Sequence, residues 1–370
     1  MYKTKEDIAI AREIISCPGD TLAEHIEYTG MTQSELAERM GRPKKTINEI
    51  IQGKAQITPE TAIQLERVVG ISADFWVECE RRYRLRLAEI DEAETLLQAK
   101  EWAKRFPCNA MKVKGWIAFE GGSANTGKAL LSFFNVASPE VYEKFYHGQV
   151  YATAYRMSEK NSKAPYAVAA WLRQGERQAE LIQVPDFEKS AFEKTLQEIK
   201  KLVISGADDF FPELQELCRK AGVKVVHTPC LPQAPLHGST RWVKGTPLIQ
   251  LSNRLNRNDI FWFTFFHEAA HILKHNKKDV FLEGMEYSCD GRVKEAEADA
   301  DVFAEECLMS RKEEKEIMAS GSFEKQDIQR FAAKFGTHPA IVAGRLASRG
   351  VMKQHIGTVY GFYKKVELKD

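Results

Sequence analysis

The chain has little of what would mark a secreted, membrane-bound or strongly polyionic protein. Its seven cysteines (17, 79, 108, 218, 230, 289 and 307) stand singly, with no Cys-x-x-Cys pair. An odd number of scattered thiols argues against a disulfide framework and a cysteine-rich zinc site, and reads as reduced core thiols. No stretch approaches the roughly 20 apolar residues that span a bilayer, and the opening Met1-Tyr2-Lys3-Thr4-Lys5-Glu6 has no signal-peptide apolar core. A soluble, cytoplasmic protein with no membrane partner is therefore expected. Charge of one sign is also missing: 53 lysines and arginines face 52 aspartates and glutamates, a net +1, so any nucleic-acid footprint has to be local. Internal repeats and low-complexity segments are absent too.

What is present is a globular composition, 44% hydrophobic and 28% charged over 370 residues, enough for two or three domains with their own cores. Residues 18 to 88 read as short capped helices. Thr32-Gln33-Ser34-Glu35 has the pattern of a capping box, and Leu36, Ala37 and Met40 follow on one face up to Gly41. A second helix opens at Pro43 and buries Ile47, Ile50 and Ile51, leaving Lys44, Lys45, Thr46 and Asn48 outward until Gly53. Thr58-Pro59-Glu60 caps a third that stops at Gly70. Between 41 and 54 the bases Arg42, Lys44, Lys45 and Lys54 face the single acid Glu49. Two helices joined by a tight turn, with that basic face, form a helix-turn-helix reader. Lys44 and Lys45 are candidates for phosphate, Thr46 and Asn48 for base edges, and Gln33 for a further DNA contact.

This segment resembles the HigA-type antitoxins of the XRE repressor family, through Met31-Thr32-Gln33-Ser34-Glu35-Leu36-Ala37, the run Lys45 to Lys54, and Ile57-Thr58-Pro59-Glu60-Thr61-Ala62. The resemblance covers about residues 18 to 80. It implies binding of double-stranded operator DNA, as a homodimer, and autorepression.

A charged connector helix follows around 81 to 94, then a mostly helical stretch around Trp102, Phe133, Phe134 and Trp171, interrupted by a loop at 120 to 127. Within it, Gly122-Ser123-Ala124-Asn125-Thr126-Gly127-Lys128-Ala129 nearly matches a phosphate-binding loop, but Ala129 lacks the hydroxyl that holds magnesium, and a glycine-rich surface loop is expected instead. From about 206, short strand-like runs at 223–226, 239–243 and 248–251 lead into one helix, apolar nearly all round, that starts near Asn258 or Asp259 and reaches His275.

That helix carries His267-Glu268-Ala269-Ala270-His271. Imidazoles at i and i+4 share a face one turn apart and can meet one zinc ion, and the intervening Glu268 can take a proton from water. His275 lies about 12 Å along the helix from His267, too far to share the metal, and reads as a helix-end cap. The metzincin continuation is excluded, because Lys274 and Lys277 stand where it needs Gly and His. The third ligand is then a carboxylate from the run 295 to 301. A ligand Glu followed at i+4 by an Asp that orients a histidine fits both Glu297 with Asp301 and Glu295 with Asp299, and spacing leaves the two open.

Phe265-Phe266-His267-Glu268-Ala269-Ala270-His271-Ile272-Leu273, with Ala300-Asp301-Val302-Phe303-Ala304 and Leu308-Met309, resembles the ImmA/IrrE metallopeptidase family over roughly 205 to 350. Ser310 and Ala270 depart from the residues common there without removing a ligand. The resemblance implies one zinc per chain on His267, His271 and Glu297, Glu268 as general base, Asp301 orienting a ligand, and a repressor or antitoxin partner as protein substrate.

The expected fold is thus mainly α with a small β-sheet (α+β): a helix-turn-helix bundle with connector at 1–88, a central helical region of unread role at 89–205, and a zincin-like His-Glu-x-x-His domain at 206–370. The expected function is a DNA-binding regulator with a zinc-dependent endopeptidase. The competing readings are a non-enzymatic antitoxin or repressor whose zinc domain senses stress or metal, and a toxin-neutralising binding module.

Overall fold

The computed structural model describes residue 2 and residues 4–120, 123–150, 164–254, 257–277, 279–283 and 291–368. It divides into two compact units, Met1–Ala103 with Glu120–Leu131, and Lys104–Phe119 with Ser132–Asp370. The boundary expected after residue 88 falls inside an unbroken helix, and the one expected after 205 falls at a helix end.

The first unit is built from α1 (Lys5–Ile14), α2 (Pro18–Tyr28), α3 (Gln33–Met40), α4 (Lys44–Ile51), α5 (Pro59–Val69) and the 31-residue α6 (Ala73–Ala103). Its boundaries follow local chemistry. The Thr32 hydroxyl accepts from the Glu35 amide at 3.2 Å and opens α3, and Gly41 closes it in the left-handed region at φ 63°. The reciprocal half of the expected capping box is not formed. The Glu35 carboxylate accepts instead from Arg39, one turn on, at 2.5 Å, a charge-assisted bond that outcompetes a neutral amide. Thr58 caps α5, and Gly70 ends it. Leu22, Leu36, Ile47, Ile50, Leu65 and Trp76 form the core, each worth roughly 1.5–3 kcal/mol of burial for the aliphatic side chains. Ile51, expected inside, is half-buried.

Helix α1 and the full length of α6 go beyond the sequence reading. Ile8 and Ala11 pack on Ile90, and Arg12 pairs with Asp91 and Glu94. In the loop at 120 to 127, residues 121 and 122 lie outside the described residues, so the Gly122 end of the expected phosphate loop does too. From Ser123 the chain is already helical, and a Cβ on Gly127 would come within 2.8 Å of the Ala99 backbone. That glycine serves close helix packing.

The second unit holds α7 (Cys108–Val113), the end of α8 (Ser123–Phe134), α9 (Pro139–Tyr142) continuing into a π-helical stretch (Glu143–Val150), α10 (Ala164–Glu180), α11 (Lys189–Ser205) and α12 (Phe211–Lys220). A mixed sheet of β1 (Lys224–His227), β2 (Gly238–Val243), β3 (Thr246–Leu251) and β4 (Phe281–Glu283) has the order β1-β3-β2-β4, with β1 parallel to β3 and the other pairings antiparallel. Three of these strands were expected; β4 is new. The remaining helices are α13 (Asn258–Lys274), α14 (Gly291–Leu308), α15 (Arg311–Ser320), α16 (Lys325–Phe335), α17 (Pro339–Ser348) and α18 (Ile356–Val359).

Side-chain alternation along β2 gives the sheet two working faces. On one, Arg241 donates to the Leu172 carbonyl (2.6 Å) and to Gln250 (2.9 Å), and Gln250 donates to the Trp171 carbonyl (2.7 Å), anchoring α10. On the other, Thr240 donates to the Glu268 carbonyl at 2.9 Å, and α13 packs against the sheet. Helix α13 is buried nearly all round, as expected, because the sheet, α14 and α17 all pack on it. Its N-cap is Arg257 rather than Asn258 or Asp259, since Asp259 is drawn into a fork with Arg257 at 2.6 and 3.0 Å. No described helix is long and apolar enough to cross a membrane.

Candidate functional site

Helix α13 presents His267, Glu268 and His271 inward, with 2%, 0% and 1% of their surfaces exposed. Helix α14 brings Glu297 to them: its Oε2 lies 3.0 Å from His267 Nε2 and 3.8 Å from His271 Nε2, and the two Nε2 atoms are 3.1 Å apart. The three donor atoms all fall within 4.8 Å of one another. Asp301, one turn beyond Glu297, lies 2.9 Å from His267 Nδ1. Of the two registers open on spacing, the structure thus brings Glu297 and Asp301 to the histidines, while Glu295 and Asp299 are exposed.

The donor set fits a divalent cation. With a cation bound, Asp301 would accept the Nδ1 proton of a neutral His267 and leave a lone pair on Nε2; His271 Nε2 and the Glu297 carboxylate converge on the same point. The second Glu297 oxygen is buried without a hydrogen-bond partner among the described residues. Two imidazoles and one carboxylate are the nitrogen and oxygen donors that zinc accepts. Without a cation, protons take over its role. Burial disfavours a charged His267, but its bonds to Asp301 and Glu297 outweigh that and hold the ring up to about 11. Burial resists ionisation of Glu297 as well, yet the two histidines pull it down to about 2, while burial pushes His271 down to about 4.

Glu268 stands beside these donors on α13. Both its carboxylate oxygens are buried and unpartnered among the described residues, and burial raises its proton affinity well above that of an ordinary carboxylate. This carboxyl lies beside the three donors that could hold a cation.

Four neighbours escaped the sequence reading as parts of the site. A Cβ on Gly238 would stand 2.5 Å from Glu268 Oε1, so only glycine leaves that carboxylate in place. Gly238 pairs with Glu283 of β4, whose Oε1 accepts from Thr264 at 3.2 Å and whose proton affinity is raised by burial to about 7. Phe281, also on β4, stacks on His271 with centroids 3.8 Å apart and planes at 14°. His275 does cap α13, and its Nδ1 also lies 2.9 Å from His271 Nδ1. The sequence signal was faint: a three-residue strand inside a loop has no readable period.

On the first unit, Lys44 and Lys45 open α4 and are exposed, as is Asn48 one turn on; Thr46 and Gln33 are half-buried. Lys45 reaches Glu49 at 3.8 Å, an exposed pair of little worth. Ile47 and Ile50 pin the opposite face of α4 in the core.

Comparison with known proteins agrees with both halves. Residues 29–76 match the helix-turn-helix family, and residues 218–347 match the IrrE N-terminal-like domain. The HTH-type transcriptional regulator YddM of Escherichia coli (strain K12) is 33% identical over 72 residues, 20% of this chain and 77% of that protein. Virulence-associated protein I of Dichelobacter nodosus is 33% identical over 76 residues, 20% of this chain and 70% of that protein. The solved structure of an addiction module antidote protein of a HigA family from Coxiella burnetii shares 26% identity over 22% of this chain and 88% of its own, with a TM-score of 0.21. The chain belongs to the XRE-type helix-turn-helix regulators, with a DNA-binding domain at its N-terminal end and an IrrE/ImmA-like peptidase-family domain at its C-terminal end.

Proposed function

We propose that this regulator is also a zinc-dependent endopeptidase, with His267, His271 and Glu297 holding one zinc ion per chain and Glu268 acting as general base and then acid. The observation that carries the reading is the unpartnered Glu268 carboxyl beside the converging His267, His271 and Glu297 donors. Zinc bound there would supply Lewis acidity, polarising the scissile carbonyl and acidifying water.

The protein's own groups do the rest. Glu268 takes a proton from the attacking water as the C–O bond forms, and returns it to the amide nitrogen as the C–N bond breaks. Asp301 keeps the His267 proton on Nδ1 and the ring in one orientation. The substrate is a repressor or antitoxin-like protein, and the first unit binds operator DNA as a homodimer through Lys44, Lys45, Thr46, Asn48 and Gln33. Residues 206–370 form the catalytic domain. These roles place the protein in the cytoplasm.

The alternative, a non-enzymatic regulator whose metal domain senses stress or metal, is favoured by the full burial of Glu268 and His271. Glu268→Gln separates the two. The amide keeps the shape but cannot take a proton, so the zinc-loaded variant should retain metal and operator binding while losing at least about 10² in the rate of cleavage of proteins encoded beside it. Wild-type protein that cleaves none of them, with promoter control intact in the Glu268→Gln variant, supports the sensor instead.

A further inference from the structure

The two histidines of the triad are not held alike. His267 Nδ1 faces the carboxylate of Asp301, whereas His271 Nδ1 faces a third imidazole, that of His275, at the same 2.9 Å. Two ring nitrogens at that separation share one proton, so one donates and the other accepts. The Nε2 of His271 points at Glu297 and at His267 Nε2. A lone pair there requires the His271 proton to sit on Nδ1. His271 is therefore the donor and His275 Nδ1 the acceptor, which leaves the proton of His275 on its Nε2.

We infer that His275 is a positioning residue for the metal site: it fixes the tautomer and the ring plane of His271, as Asp301 does for His267. The inference rests on the metal reading above and goes beyond it by giving a role to the residue that only capped the helix. Phe281 completes the device. Its ring stacks on His271 at 3.8 Å and lies 5.3 Å from His275, so β4 restricts rotation of the His271 imidazole. His275, the C-cap that follows α13, lies four residues beyond His271, and the two rings stand 4.9 Å apart. Because the acceptor is a neutral ring and not a carboxylate, His271 gains less basicity from its partner than His267 does. His271 is the ligand whose hold depends on geometry.

The test is zinc affinity, measured by competition with a chromophoric chelator on the full-length protein. Removing an outer partner of a metal-bound histidine typically costs about 10- to 100-fold in affinity, so His275→Ala should lose that much. His275→Asn should recover most of it, since its Oδ1 occupies nearly the position of the imidazole Nδ1 and accepts the same proton. Operator binding and circular dichroism should match wild type in both variants. An alanine variant that binds zinc as tightly as wild type overturns the inference, and so does an asparagine variant as weak as alanine, which would show packing and not proton acceptance. A wild-type chain that takes up no zinc overturns the metal reading itself, a different result from the other two.

Discussion

The helix-turn-helix and the metal triad use the same element, an α-helix with functional residues at i and i+4 spacing, in opposite ways. Helix α4 buries Ile47 and Ile50 and turns Lys44, Lys45 and Asn48 to solvent. Helix α13 buries His267, Glu268 and His271 and takes its third donor from α14, 30 residues along the chain. The first arrangement separates fold from proposed function, since Lys44, Lys45 and Asn48, proposed to meet DNA, carry none of the core. The second merges them. A buried polar group left without its partner costs about 1–3 kcal/mol, whereas an exposed ion pair such as Lys45 with Glu49 is worth about 0–1. Replacements at the metal site should therefore disturb both stability and chemistry, and those on α4 only binding.

The largest expected effect is loss of the metal. His267→Ala and His271→Ala should abolish tight zinc binding and Glu297→Ala should weaken it strongly, while Glu295→Ala, on the exposed face, should bind as wild type. Metal analysis of the purified variants checks this, and retention by the Glu297 variant with loss in the Glu295 variant would reverse the register.

Next comes a change that leaves every ligand in place. Gly238→Ala puts a methyl group 2.5 Å from Glu268 Oε1, so the carboxyl must move. Zinc content should hold while the cleavage rate falls by at least about tenfold, since catalytic geometry is lost over distances near 1 Å. An active Gly238→Ala protein would break the claim that the carboxyl works from this position.

On the exposed side the effects are smaller. Asn48→Ala should cost about 1–3 kcal/mol of discrimination between operator and non-operator DNA. Lys45→Ala should weaken binding to all sequences and lower the salt slope by about one. Mobility shifts over a salt series would show both, and both variants should melt with wild-type protein; a lowered Tm would mean that α4 does not separate fold from function.

The smallest effect is in pH. Metal-free His267 is raised in the folded chain to about 11 from an ordinary 6.5, so its contribution is complete below about 6.5 and is lost as pH rises toward 11. Metal binding releases that proton, and its contribution grows as pH rises. Tm between pH 6.5 and 9 should fall for chelator-treated protein and fall less, or rise, with zinc. Parallel curves would remove the proton from the metal's place.

The helix boundaries of the first unit were legible because stop and start chemistry is local: Thr32, Gly41, Thr58 and Gly70 act on amides and backbone angles within a turn of themselves. The face shared by His267 and His271 was legible for the same reason, since 3.6 residues per turn holds wherever a helix forms. Spacing left Glu297 and Glu295 open, and resemblance alone pointed to Glu297; in the structure it is Glu297 that lies beside the histidines. Both sit at the same spacing from an aspartate, and only the packing of α14 on α13 turns one toward the histidines and leaves the other in water. Gly238, Phe281 and Glu283 reach the site through strand pairing between β2 and β4, a contact set by register across more than forty residues of chain and by no periodicity within either strand. The α3 capping pattern shows the limit from the other side: Thr32 acts as its sequence says, but Glu35 has a stronger partner in Arg39 and goes there. Spacing states which groups can meet, and competition among the partners that folding supplies decides which of them do.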